Sequence, residues 1–426
     1  MTTRREILKA GAASLGTLVS ARADSGSPAA RGATADIVKS MKLSTTVDSV
    51  DYCLSWGTWG VPGVHFILDR IRSAGITRVF WRASDGTMAR FPSKVYEPYH
   101  GIPDPKDGNS PWVKLRTEVF DCRVFDVLEA AAAGCKQRGM EFGLWVTVME
   151  EEHGLGKCAF AREHPEFYRV WRNGVRSQKT MSYAYPEVVD FRLAFIKELM
   201  AYQPAAFLLD WVRCAETEPL WDAKGYCRAG YEEAILKHYR KKFGVDPRTL
   251  DNGDDRWLRF RADYHTAFFR KVKEHIRARR PGTSILSLVR GNLHPYDTGG
   301  KSPTLPPLAH PLPMCLMDVQ TWVKEGLTDT VCGDQWGNGG RPHPPQRIAE
   351  QVRLTGQHVG DPAHVGVEIY VYGGSVRQIE ANVRAAREAG AREAILFDAW
   401  WFEQAATTDQ PMFYREMAKA LPSALV

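Results

Sequence analysis

The sequence predicts an α/β chain closed into a single (β/α)8 TIM barrel with long βα loops, on three observations. Short apolar runs alternate with amphipathic helical stretches eight times along the chain. No internal repeat or second block of different composition interrupts the series. The 426 residues, 44% hydrophobic and 25% charged, suffice for one large core and exclude disordered or small disulfide-stapled classes. Strands of an all-parallel barrel are covered on both faces, so each reads as a brief apolar run.

Residues 51–56 read as the first strand and 63–74 as its helix, ended by Gly75. Residues 77–83 form the second strand, followed by a long polar loop and a helix from about 119 to 137. The third strand is 140–149; after a second long loop comes a helix over 186–202, with Pro186 in its first turn. The fourth strand, 205–212, leads into helices over 229–243 and 256–280, the latter stopped by Pro281. The fifth strand is 284–290, with a Pro-rich exit loop over 303–313 and a short helix at 318–325. Strand 328–333 pairs with helix 345–357, and strand 363–372 with a helix capped by Ser375 and running to 389. Strand 393–398 and helix 411–420 complete the ring.

Residues 1–23 read as an export signal: a charged start with adjacent Arg4 and Arg5, a weakly apolar middle, and Ala21-Arg22-Ala23 at its end. The adjacent arginines resemble the twin-arginine motif and predict a periplasmic or secreted protein. Residues 24–47 then read as a flexible lead-in and 48–426 as the barrel. Loss of the signal lowers the net charge from +6 to +3, with no Lys/Arg blocks, so nucleic acid is not an expected partner. Beyond the signal no apolar run is long enough to span a bilayer. The eight cysteines form no CxxC pair; Cys53 and Cys332 lie in apolar strands, and Cys214 and Cys227 could bridge in an exported protein.

Barrel enzymes work at the C-terminal ends of their strands. Asp210 ends the fourth strand, Asp334 follows the sixth, Glu368 lies in the seventh and Asp398 ends the eighth. Along the seventh strand, Val365, Val367, Ile369 and Val371 suit the helix-facing side, which leaves Glu368, Tyr370 and Tyr372 facing the barrel. Acids converging on one mouth push their pKa values apart, the division that an acid/nucleophile pair needs. Structural pairing with Arg82, Arg213 or Arg290 is the alternative for each. Trp56, Trp59, Trp81, Trp145, Trp211, Trp336, Trp400 and Trp401, eight of thirteen tryptophans, fall in or just after strands. Flat aromatic faces suit sugar rings, and carbohydrate is the expected partner. Barrel packing is the competing explanation for Trp145 and Trp81. Glu150-Glu151-Glu152-His153 reads as a solvated loop in preference to a metal site, and Gly373-Gly374-Ser375 as a turn and helix cap.

Several segments in order carry a resemblance: 124–148, then His164-Pro165-Glu166-Phe167, Trp171-x-Asn173-Gly174, Pro186-Glu187-Val188, Phe207-Leu208-Leu209-Asp210-Trp211-Val212-Arg213, and Asp318-x-x-x-Trp322-Val323-x-Glu325-Gly326-Leu327. Together they resemble the glycosyl-hydrolase-like barrels known as "family 10 glycosylhydrolase-like". The resemblance implies Asp210 as the leading catalytic acid and Arg213 as the basic residue beside it. The chain departs from the pattern in having one acid at the fourth strand and an extra one, Asp334, at the sixth. The expected function is a cofactor-independent glycoside hydrolase acting on an oligo- or polysaccharide. Asp210 would be the nucleophile and Asp334 or Glu368 the general acid/base, with Arg213, Trp56, Trp81, Trp211, Trp336, Tyr370, Asp398 and Trp400 binding substrate. Two other classes remain: a carbohydrate-binding barrel without catalysis, and a metal-dependent sugar isomerase or epimerase. The latter would need a convergent set of acid and His ligands, to which strand 284–290 contributes none.

Overall fold

A computed structural model describes residues 41–48, 60–100, 121–152, 156–210, 222, 224–290, 312, 315–334, 342–399 and 410–425. Its strands are β1 (Lys42–Val47), β2 (Arg78–Arg82), β3 (Ser84–Asp85), β4 (Met88–Ala89), β5 (Glu97–Pro98), β6 (Glu141–Thr147), β7 (Tyr168–Val170) and β8 (Arg176–Met181). They continue with β9 (Ala206–Asp210), β10 (Ser284–Arg290), β11 (Thr330–Asp334), β12 (Val365–Tyr370) and β13 (Glu393–Phe397). Eight of them close a parallel barrel in the order β1-β13-β12-β11-β10-β9-β6-β2. The outer layer comprises α1 (Val61–Ser73), α2 (Val127–Gln137), α3 (Ala159–Glu163), α4 (Pro186–Leu199) and α5 (Glu233–Phe243). It continues with α6 (Asp255–Arg279), α7 (Val319–Lys324), α8 (Pro345–Val359), α9 (Val376–Glu388) and α10 (Gln410–Leu425).

Alternation along each strand divides the core in two. Val79, Trp81, Leu144, Val146, Phe207, Leu209, Val331, Val365, Val367, Ile369 and Val371 face outward and pack beneath the helices. Phe80, Trp145, Ala206, Leu208, Leu286, Leu288, Cys332 and Ile395 fill the barrel, with Phe397 against them. The outward valines of β12 match the sequence expectation. At the N-terminal end the barrel is closed by charge: Arg78 pairs with Glu393 at 2.7 Å and Glu141 at 2.5 Å, and Ser44 Oγ donates to Glu393 at 2.9 Å. Burial pushes the Glu393 carboxyl above its usual range, against the pull of Arg78.

The first strand corrects the sequence reading. It is Lys42–Val47, inside the stretch expected as a lead-in, while 51–56 lies outside the described residues. Only Leu43 and Val47 supply the outer core, whereas Ser44 turns inward to the charged plug. The strand therefore lacks an apolar run. Two other expectations shift for local reasons. The helix expected from about 119 starts at Val127 because Asp126 caps it, accepting from Leu128 and Glu129 amides at 3.1 and 3.0 Å. Glu150 and Glu151 are buried and not part of a solvated loop; Glu151 pairs with Arg192 at 2.6 Å. Ser375 caps α9 as expected, accepting from the Gln378 amide at 3.2 Å.

The long loops fold onto each other. The small sheet β3-β4-β5 follows β2, and the antiparallel hairpin β7–β8 follows β6. A bridge between Trp171 and Ala229 joins that hairpin to the segment preceding α5. Buried Arg261 on α6 fixes the joint by donating to the carbonyls of Cys227, Ala229 and Asn252 at 2.7–2.9 Å.

Close packing of the barrel interior gives a direct test. A Cβ added at Gly143 on β6 would stand 2.7 Å from Phe80 Cδ1 and 3.2 Å from the Val79 carbonyl oxygen. Gly143→Ala should destabilise the fold by ~1–3 kcal/mol, read as a lower urea midpoint at unchanged m-value.

Candidate active site

Asp210 is the last residue of β9 and shares the inward face with Ala206 and Leu208. It is only 4% exposed. Register sets its neighbour. Thr147 of β6 stands opposite Asp210, so Trp145, two residues earlier, lies diagonally across the same face. Its indole Nε1–H donates to Asp210 Oδ2 at 2.8 Å.

Behind the indole stands a buried ring of charge. Arg82 ends β2, in register with Trp145, and its guanidinium lies 4.2 Å from the centre of the indole ring. Arg82 Nη1 donates to Asp48 Oδ2 at 2.5 Å, Nη2 to Asp85 Oδ1 at 2.7 Å, and Nε to the Ser84 carbonyl at 3.2 Å. Arg90, fully buried, reaches the same two acids, at 2.6 Å to Asp85 and 3.5 Å to Asp48. Burial opposes the charge on Arg82, but Asp85, Asp48 and Asp210 outweigh it and hold its pKa above the usual value. Two cations against three nearby acids keep this end of the barrel polar.

An aromatic chain extends around the interior. Phe397 of β13 meets Trp145 edge-on at 5.7 Å and Tyr370 of β12 at 4.8 Å between ring centres. Tyr370 is thus connected to Asp210 through Phe397 and Trp145. Glu368, two residues earlier on β12, is 1% exposed. Both Glu368 and Glu393 act on the Cys332 thiol, whose pKa is raised chiefly by its complete burial. Asp398, 2% exposed, follows β13 directly. Asp334 closes β11 in register with Arg290; both side chains lie outside the described residues.

Trp81 corrects the expectation of substrate contact. Arg78, Phe80 and Arg82 point inward from β2, so Trp81 points outward into the main core at 1% exposure. Trp56, Trp211, Arg213, Trp336 and Trp400 lie outside the described residues, as do Cys214 and the adjacent arginines of the N-terminus. Conversely, Trp145, read from the sequence as packing, lies in the barrel core and also donates a hydrogen bond to Asp210. Asp48, Asp85 and Arg90 carried no signal beyond their charge. Among the described residues, no group of three or more His, Cys, Asp or Glu is arranged to hold a metal ion, and no helix is long and apolar enough to cross a membrane.

No family model and no curated relative matches the sequence. Solved structures do. The catalytic domain of β-amylase from Paenibacillus polymyxa superposes with a TM-score of 0.55 at 9% identity, covering 90% of this chain and 99% of that one. A β-galactosidase from the psychrophilic Marinomonas ef1 superposes with a TM-score of 0.51 at 13% identity, over 84% of this chain and 54% of that one. At such identities the likeness is one of fold: this chain is a (β/α)8 barrel of the kind on which those glycoside hydrolases are built.

Proposed function

We propose that the protein is an exported glycoside hydrolase that cleaves an oligo- or polysaccharide with two carboxylates, Asp210 serving as the nucleophile. The observation that carries this reading is Asp210 itself: a buried acid closing a barrel strand, with an indole N–H on one oxygen and Arg82 in electrostatic reach. A carboxylate is the group that attacks an anomeric carbon in a double-displacement glycosidase. The glycosidic bond breaks as the Asp210 oxygen bonds to that carbon, and the general acid protonates the leaving oxygen. Water, deprotonated by the same group, then releases the sugar and restores Asp210. The names of the two structural neighbours, a β-amylase and a β-galactosidase, agree with carbohydrate as the substrate class.

Asp334 is the preferred acid/base. Asp210 and Asp334 both close their strands, with β10 between them. Two strand spacings place their backbones about 10 Å apart. Glu368 sits within β12 and acts on Cys332 together with Glu393 from the opposite end of the barrel. Asp334→Asn should lower turnover by about 10²–10⁴-fold on substrates with poor leaving groups and little on activated aryl glycosides. Glu368→Gln should lack that leaving-group dependence. The reverse pattern would transfer the role to Glu368.

Export by the twin-arginine route rests on Arg4 and Arg5 and the residues that follow them. With both replaced by lysine, full-length precursor should accumulate in the cytoplasm in a fractionation experiment. Normal export of that variant would refute the route.

A further inference from the structure

We propose that Trp145 and Arg82 are positioning residues for Asp210: the guanidinium, clamped by two aspartates, holds the indole so that its N–H fixes one carboxylate oxygen of the attacking group. The inference rests on the reading of Asp210 as a nucleophile and extends it to the residues that set its orientation.

A carboxylate on a two-bond side chain can rotate about its terminal torsion, and a nucleophile must hold one oxygen in line with the anomeric carbon. One oxygen of Asp210 is held by the indole at 2.8 Å. An indole is a single donor with a fixed direction, so its value depends on the plane of the ring. Phe397 meets the ring edge-on at 5.7 Å, and Arg82 lies over it at 4.2 Å. Arg82 cannot slide, because Asp48 and Asp85 each take one terminal nitrogen and the Ser84 carbonyl takes Nε. Arg90 closes the ring by reaching both acids from a fully buried position. Four segments that are separate in sequence, carrying residues 48, 82, 145 and 210, are thus tied together. A planar fork is needed at position 82, which a lysine could not supply.

The first readout does not depend on turnover. In protein with ¹⁵N-labelled indoles, the Trp145 N–H signal is identified by its loss in Trp145→Phe. It should lie downfield and move upfield in Asp210→Asn, where a neutral amide replaces the charged acceptor. Arg82→Lys should also displace this signal while Asp210 is intact. The second readout is kinetic: Trp145→Phe should lower kcat by about ten- to a hundredfold, as loss of a hydrogen bond to a charged group does, with KM within about twofold. Arg82→Lys should lower kcat in the same direction. An indole signal indifferent to Asp210→Asn overturns the proposal whatever the protein's activity, as does a Trp145→Phe enzyme with the parent's kcat. If Trp145→Phe fails to fold, the indole signal in Asp210→Asn and Arg82→Lys decides. Coupling in a protein that cleaves no glycoside supports the orienting role and overturns the hydrolase reading instead.

Discussion

Asp210→Asn should lower turnover by on the order of 10⁴-fold or more while leaving substrate binding and folding intact. The replacement keeps the shape of a side chain that is 4% exposed and hydrogen-bonded to Trp145, and removes only the charge that attacks. A small anion such as azide can then enter the space next to the anomeric carbon and attack in place of the carboxylate. Added azide should partly restore cleavage and give a glycosyl azide of inverted configuration. Near-normal turnover in Asp210→Asn would remove the nucleophile assignment and make Asp398, buried at the end of the eighth barrel strand, the next acid to examine.

The largest loss of stability should come from a residue away from the chemistry. Arg192 on α4 is 2% exposed; it pairs with Glu151 at 2.6 Å and donates to the Tyr96 hydroxyl at 2.6 Å. Glu151 also accepts from the Met181 amide at 3.2 Å. One guanidinium thus ties the loop after β2 and the loop after β6 to the outer helices. Arg192→Leu would leave the Glu151 carboxylate buried without its cation, at a cost of ~3–5 kcal/mol in unfolding free energy. The paired change Arg192→Met with Glu151→Leu should recover most of that loss, because burying two apolar groups costs far less than burying one unpaired charge. Equal destabilisation in the single and paired variants would show that packing of the arginine stem, and not the charge, carries the effect.

The barrel was legible in the sequence wherever a strand has an apolar outer face. β10 and β12 illustrate this: β10 coincides with residues 284–290, and the valines of β12 fall on the side expected. β1 was not legible because its inward Ser44 meets the charged plug and breaks the apolar run. The two-residue strands β3, β4 and β5 are too short to leave a periodic signal. At the candidate site, the position of Asp210 followed from its place at a strand end. Its partner did not, because the contact with Trp145 depends on the register between β6 and β9, which no residue type announces. Trp81 and Trp145 look alike in sequence and are opposite in role: odd positions of β2 face the helices, and odd positions of β6 near its end face the barrel. The Asp48–Arg82–Asp85–Arg90 ring is likewise a product of side-chain direction and not of a motif.

Whether Asp210 cleaves glycosidic bonds is decided by measuring sugar released from a panel of oligo- and polysaccharides, with the mature protein and Asp210→Asn run side by side and with a chelator added to a third arm. Release from at least one glycan is expected, undiminished by the chelator and absent in Asp210→Asn. Binding without release from any glycan, or activity abolished by the chelator in the unmutated protein, would contradict it.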